Sequence, residues 1–271
     1  MSYRFSLSYL TVLDATPPEA VRIAAECSYD FVGFRITPAG SEPPFPLLTD
    51  KALLRETKAA LADTGVQVAD VEIVRINEQF DAQSTLPFLE RCAELGAKHI
   101  LVAGDDADLQ RTAGNFAEFC ELAAQFRLTA DLEPMPWTGV KNVRDALQVL
   151  ELAGHDNGYI LLDALHIDRS DSTLEEVAAI DPARINYVQF CDGKHQASYT
   201  TEEMIFTARD ERLLPGMGDI DLAGFLRAIP QGKVLAVEVP RKAESVTIPA
   251  LQRAQQGLDA LRQLIARVET A

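Results

Sequence analysis

Eight short apolar runs alternate with eight segments of helical spacing along the chain, and this alternation constrains the fold more than any other feature. The runs fall at 3–9, 29–35, 67–74, 98–103, 128–133, 158–163, 185–190 and 233–239. The helical segments fall at 16–27, 50–63, 84–95, a long stretch ending near Phe126, 142–152, 173–179, 222–228 and 248–267. A strand that feeds a helix before the next strand predicts parallel pairing, and eight such units are the number that closes a barrel. An open doubly wound sheet is the weaker alternative, because no glycine-rich fingerprint follows the first run. The punctuation agrees: Thr16-Pro17-Pro18 opens a helix, and Gly65, Gly96 and Gly154 stand just past helix ends. The Pro-, Gly- and Ser-rich stretch at 38–46 reads as a loop over one end. At 271 residues and 47% hydrophobic, the chain is long enough for one such core, so a single (β/α)8 barrel domain over 1–271 is expected.

The ends of the runs carry the chemistry. The run at 158–163 stops abruptly at Asp163, with His166 three residues later. Three others end alike, at Glu133, Gln189 and Glu238. In a parallel barrel all C-terminal strand ends share one face, so four groups on adjacent strands five to eight converge there. Three carboxylates crowded together repel one another strongly unless a cation lies between them. An all-oxygen set suits a hard or borderline divalent ion, Mg2+ or Mn2+ first, with Co2+ and Zn2+ open because availability also decides.

Other residues on the predicted rim are candidates for substrate contact. Arg35 and Arg75 end the second and third runs, where a planar guanidinium could take a carboxylate or phosphate or pair with a rim acid. His166 is a candidate acid or base, or else a donor that orients a ligand carboxylate. Asp192, Lys194 and His195 follow Gln189 on a loop, Trp137 follows the fifth run, and Arg212 precedes a Pro-Gly turn in the long seventh connection.

The segments Ala130-Asp-Leu-Glu133-Pro, Leu162-Asp163-Ala-Leu-His166, Tyr187-Val-Gln189-Phe-Cys-Asp192, Leu214-Pro-Gly-Met-Gly-Asp219 and Ala236-Val-Glu238-Val-Pro240 resemble the successive motifs of the xylose isomerase-like TIM barrels. This is the sugar phosphate isomerase/epimerase superfamily, which also includes endonuclease IV. The resemblance covers nearly the whole chain, including the early Tyr29-Asp-x-Val-Gly-Phe-Arg35 strand. It implies that Glu133, Asp163, Gln189 and Glu238 hold a metal, that His166 lies beside the substrate, and that Glu133 and Glu238 move protons, as their counterparts do in ketose epimerases. The chain departs from those epimerases in three places. Many carry histidine at the position of Gln189, whereas several dehydratase-like members, 3-dehydroshikimate dehydratases among them, carry glutamine. Gly139 stands near where epimerases place a further substrate-binding glutamate, and His195 about where they place an arginine.

The resemblance implies a divalent-metal-dependent isomerase or epimerase acting on a sugar, sugar phosphate or polyol-ketone through an enediolate. A metal-dependent lyase of the 3-dehydroshikimate dehydratase kind is the alternative, and a catalytically silent sugar- or acid-binding barrel is a third. A net charge of -16 is a poor match for phosphate backbones or anionic membranes, which disfavours both as partners. Four histidines are too few for the multi-histidine site of endonuclease IV. The four cysteines are widely spaced, no long apolar leader segment precedes the first strand, and a cytoplasmic protein is expected. The expected partner is a small-molecule substrate, with a homodimer as the default assembly.

Overall fold

The computed structural model describes residues 3–40 and 45–270. Of the loop expected at 38–46, residues 41–44 lie outside the described residues. The chain forms nine strands: β1 Arg4–Leu7, β2 Phe31–Arg35, β3 Gln67–Ile76, β4 His99–Gly104, β5 Thr129–Glu133, β6 Gly158–Ile160, β7 Leu162–Asp163, β8 Tyr187–Phe190 and β9 Val234–Val237. All neighbours pair in parallel, in the order β6-β5-β4-β3-β2-β1-β9-β8-β7. The two ends of that order are consecutive in the chain. They are the halves of the expected sixth strand, interrupted at Leu161, so the sheet curls into a nearly closed TIM barrel.

Helices fill the connections: α1 Pro17–Glu26, α2 Lys51–Thr64, α3 Leu86–Leu95, α4 Leu109–Gln125, α5 Val143–Ala153, α6 Ala164–Arg169, α7 Leu174–Ala178, α8 Thr201–Asp210, α9 Leu222–Ala228, α10 Lys242–Ser245 and α11 Ala250–Thr270. The helix starts follow local chemistry. Thr16 and Glu19 form a reciprocal capping box ahead of α1, and Asp50, Asp108 and Asn142 accept backbone amides at the starts of α2, α4 and α5. Gly65, Gly96 and Gly154 terminate α2, α3 and α5 at positive φ of 75°, 72° and 59°, where a side chain would be strained.

The core lies in two shells. The larger packs the outward faces of the strands, such as Leu7, Val32, Val102 and Val188, against the helices. The smaller fills the barrel itself with Phe31, Ile73, Leu101, Leu161, Tyr187 and Ala236. Alternation along β5 sends Leu132 outward and Asp131 and Glu133 toward the axis, which sets the last carboxylate at the C-terminal mouth. No helix among the described residues is long and apolar enough to cross a membrane.

Candidate active site

At the mouth, Glu133 closes β5, Asp163 closes β7, Gln189 lies in β8 and Glu238 follows β9, and all four side chains are buried. Asp163 both ends its strand and caps the next helix: its Oδ1 accepts from the amides of Leu165 at 2.7 Å and His166 at 3.4 Å. That tight strand-to-helix turn brings His166 back over the site, with Nε2 3.7 Å from Glu133 Oε1 and its ring edge-on to Trp137 at 4.9 Å between centroids. One oxygen each of Glu133 and Asp163 and one nitrogen of His166 lie within 4.8 Å of one another, a spacing that can hold a metal ion.

Gln189 Nε2 donates to Glu238 Oε1 at 2.9 Å. This fixes the amide orientation, and Gln189 Oε1 is left buried without a hydrogen-bond donor, as is Glu133 Oε1. Arg212 is the cation of the site. Its Nη1 lies 2.5 Å from Asp163 Oδ2 and its Nη2 2.9 Å from Glu238 Oε2, while Nε donates to the Ala208 carbonyl at 2.8 Å. Deeper in, Arg35 donates twice to Glu72 Oε2, at 2.9 and 2.5 Å.

The electrostatics follow from burial and neighbours. Burial, then the charges of Asp163 and Glu238, push the Glu133 carboxyl well above its ordinary value. Burial likewise raises Glu238, against the pull of Arg212. For Asp163 burial also acts upward, but Arg212, His166 and the Leu165 amide outweigh it and hold that carboxyl below the ordinary range. Burial, reinforced by Arg212 and Arg169, lowers His166 to about 4 against the opposing charge of Asp163, so its imidazole is neutral at pH 7.

A cavity of about 40 Å³ opens above the cluster, lined by Glu133, Glu238, His166 and Trp137 and by four arginines, Arg35, Arg75, Arg209 and Arg212. The structure thus brings together Glu133, Asp163, Gln189, Glu238, His166, Trp137, Arg35, Arg75 and Arg212. Three other candidates sit elsewhere. Asp192 is buried with its oxygens accepting the amides of Gly193, Gly216 and Ile220, which ties the seventh connection together. Lys194 pairs with Asp219 at 3.2 Å, and His195 with Asp168 at 2.8 Å, both on the exposed loop. Arg75 lies inside β3 rather than at its end, with its guanidinium 2.5 Å from Asp105. Sequence reasoning missed Glu72 and Arg209. The signal for Glu72 was an acid inside the apolar Val71–Val74 stretch; Arg209 had none, since α8 was read as loop.

A family profile for the xylose isomerase-like TIM barrel matches residues 21–264. The chain belongs to that family. Solved structures of the same fold include a xylose isomerase-like TIM barrel/4-hydroxyphenylpyruvate dioxygenase fusion protein, with 21% identity and a TM-score of 0.82. The match covers 100% of this chain but only 44% of the fusion protein, so the chain spans under half of that relative's length. The IolI protein with a bound zinc atom is 17% identical at TM-score 0.80, covering 98% of this chain and 99% of that one. The D-allulose 3-epimerase of a Methylomonas species in complex with D-allulose (14%, TM-score 0.69, 96% of each chain) shares the fold. So does the probable 3-DHS dehydratase AsbF of Bacillus anthracis (17%, TM-score 0.73, 96% and 98%). No curated protein sequence matches the chain. The xylose isomerase-like fold therefore hosts epimerases and dehydratases alike, with a metal in at least one case, and a buried acid and histidine cluster occupies the same mouth here.

Proposed function

We propose that this chain is a metal-assisted isomerase or epimerase that moves a proton on the carbon beside the carbonyl of a small anionic hydroxy-ketone. One observation carries the reading: two buried carboxyls of raised pKa, Glu133 and Glu238, reach one arginine-lined cavity from strands three positions apart around the ring. A carboxylate whose proton affinity is raised toward neutrality is a competent base and, once protonated, a competent acid. Two of them on different sides of a substrate can take a proton and return one.

The residues fit a divalent cation. Glu133 Oε1 and Gln189 Oε1 are buried acceptors without donors, and three carboxylates face one guanidinium. Glu133, Asp163, Gln189 and Glu238 would hold the ion, in keeping with the all-oxygen donor set. Bound there, it would supply Lewis-acid polarisation of the carbonyl. The chain's own side chains do the remainder. Arg35, Arg75 and Arg209 bind and orient the anionic end, neutral His166 donates or accepts one hydrogen bond beside Glu133, and Trp137 excludes water over it. A space of about 40 Å³ admits a cation or a water but no substrate, so the α8 segment bearing Ala208 and Arg209 must shift on binding.

A second reading, dehydration of a hydroxy-acid of the dehydroshikimate kind, is favoured by the four arginines, which suit a carboxylate, and by glutamine at 189. The test is deuterium exchange from D2O, followed by proton NMR on a panel of hydroxy-ketones and hydroxy-acids with Mg2+ or Zn2+ present. Exchange at the carbon beside the carbonyl is expected with wild type and lost by orders of magnitude in Glu238→Gln, which keeps its fold. A new alkene resonance would select the dehydratase. No exchange on any compound would leave a binding barrel.

A further inference from the structure

A second cavity, of about 270 Å³, lies on the same mouth between the segment after β1, the end of α8 and the segment after β9. Its charged walls are Arg209, Arg241, Lys242 and Arg253 against Asp14 and Asp210, a net positive lining on a chain of net charge -16. Leu10 and Arg209 line both this cavity and the catalytic one. They form the partition between them. Movement of the Arg209 side chain would join the two into a space of roughly 300 Å³, the lower end of what small-molecule sites provide.

The cations are anchored yet keep donors to give. Arg253 is 2% exposed, held by Asp14 and by the Ile248 carbonyl at 2.5 Å, and its buried Nε has no hydrogen-bond partner. Arg241 is oriented by Gln256 at 2.7 Å and by Glu244. Lys242 gives one of its three donors to Asp210 at 2.8 Å and is otherwise solvated. Fixed guanidiniums beside a mobile ammonium suit a tetrahedral oxyanion with acceptors in several directions better than a planar carboxylate.

We propose that this rim cavity is the anion subsite of the active site and takes the phosphate group of a phosphorylated hydroxy-ketone whose reacting carbons reach past Arg209 to Glu133 and Glu238. The assignment rests on the isomerase or epimerase reading for the reacting end, and by itself concerns only phosphate binding. The probes are inorganic phosphate and glycerol 1-phosphate, titrated calorimetrically into wild type, Arg241→Gln/Lys242→Gln and Glu133→Gln. Lys242 is 77% exposed, so its loss leaves folding intact, and a melting curve checks this. Saturable binding by wild type and Glu133→Gln is expected, weakened about tenfold or more in the double variant. Absence of binding to wild type, equal binding by the double variant, or loss of binding in Glu133→Gln would each overturn the subsite. Failure of every hydroxy-ketone to exchange, with phosphate binding intact, would instead sink the catalytic reading and leave the subsite standing.

Discussion

Arg212 Nη1 stands 2.5 Å from Asp163 Oδ2, joining a loop residue to a strand end 49 positions earlier in the chain. The same guanidinium reaches Glu238 at 2.9 Å, so one buried cation clamps two of the four strand-end donors. Arg212 and a divalent ion therefore compete for the same carboxylates. The site is built to be partly neutralised from within.

Removing that clamp should have opposite effects on stability and on metal affinity. In Arg212→Met two buried carboxylates lose their partner, at a cost of about 3–5 kcal/mol, read by urea unfolding in chelator. Divalent ion should bind the variant more tightly than wild type and restore much of the lost stability, because ion and guanidinium no longer compete. Equilibrium dialysis decides it: unchanged or weaker affinity in the variant would mean that Arg212 is no competitor.

The raised carboxyls predict a pH slope. For Glu133 and Glu238 the folded-state pKa exceeds the ordinary 4.5, so the folded chain holds protons that the unfolded chain has released. Their stabilising contribution is complete below about 4.5 and is lost as pH rises toward the folded values. Asp163 works in reverse, since its depressed pKa gives stability that falls away in acid. In chelator, Glu133→Gln should melt higher than wild type at pH 7 and show a shallower decline between pH 5 and 8. Saturating divalent ion should flatten the wild-type slope. A variant that melts lower at neutral pH would show that Glu133 carries no uncompensated charge.

The strand ends were legible because each ends an apolar run, and Pro134 and Pro240 soon follow two of them. Helix stops were legible because Gly65, Gly96 and Gly154 adopt positive φ that other residues resist. The break at Leu161 was not. It lies inside an unbroken apolar run, and what marks it is a tertiary bond from the Leu161 amide to the Leu132 carbonyl at 3.0 Å. Helix α8 was passed over as loop although Thr200 and Glu203 form a capping box, since its face is mostly solvated and only Ala208 is fully buried. Which loop cation would enter the cluster was unreadable, because Arg212 and Lys194 look alike in sequence and differ only in where the seventh connection folds.

His166 should behave as a neutral imidazole throughout the working range. Burial lowers its pKa to about 4, so its ring protons should keep constant NMR shifts from pH 5.5 to 8. As pH falls from the ordinary 6.5 toward 4 the unfolded chain takes a proton that the folded chain refuses, and stability drops. His166→Asn should weaken that acid-side loss while reducing turnover through the missing hydrogen bond beside Glu133. A titration midpoint near 6.5 would contradict the buried neutral ring.

Asp192 gives the sharpest test of a structural role where sequence suggested substrate contact. Its carboxylate accepts from Gly193 at 2.8 Å, Gly216 at 2.9 Å and Ile220 at 3.2 Å, three amides spread along the seventh connection. In Asp192→Ala those amides turn to water or stay unpaired, which costs about 2 kcal/mol and loosens the loop that delivers Arg212. Hydrogen exchange at Gly216 and Ile220 should accelerate while that of the β5 amides stays as in wild type. Turnover should fall through a lower kcat, since the clamp on Asp163 and Glu238 is no longer held in place, whereas a substrate contact would raise KM. A pure KM effect with unchanged exchange at Gly216 would return Asp192 to the substrate.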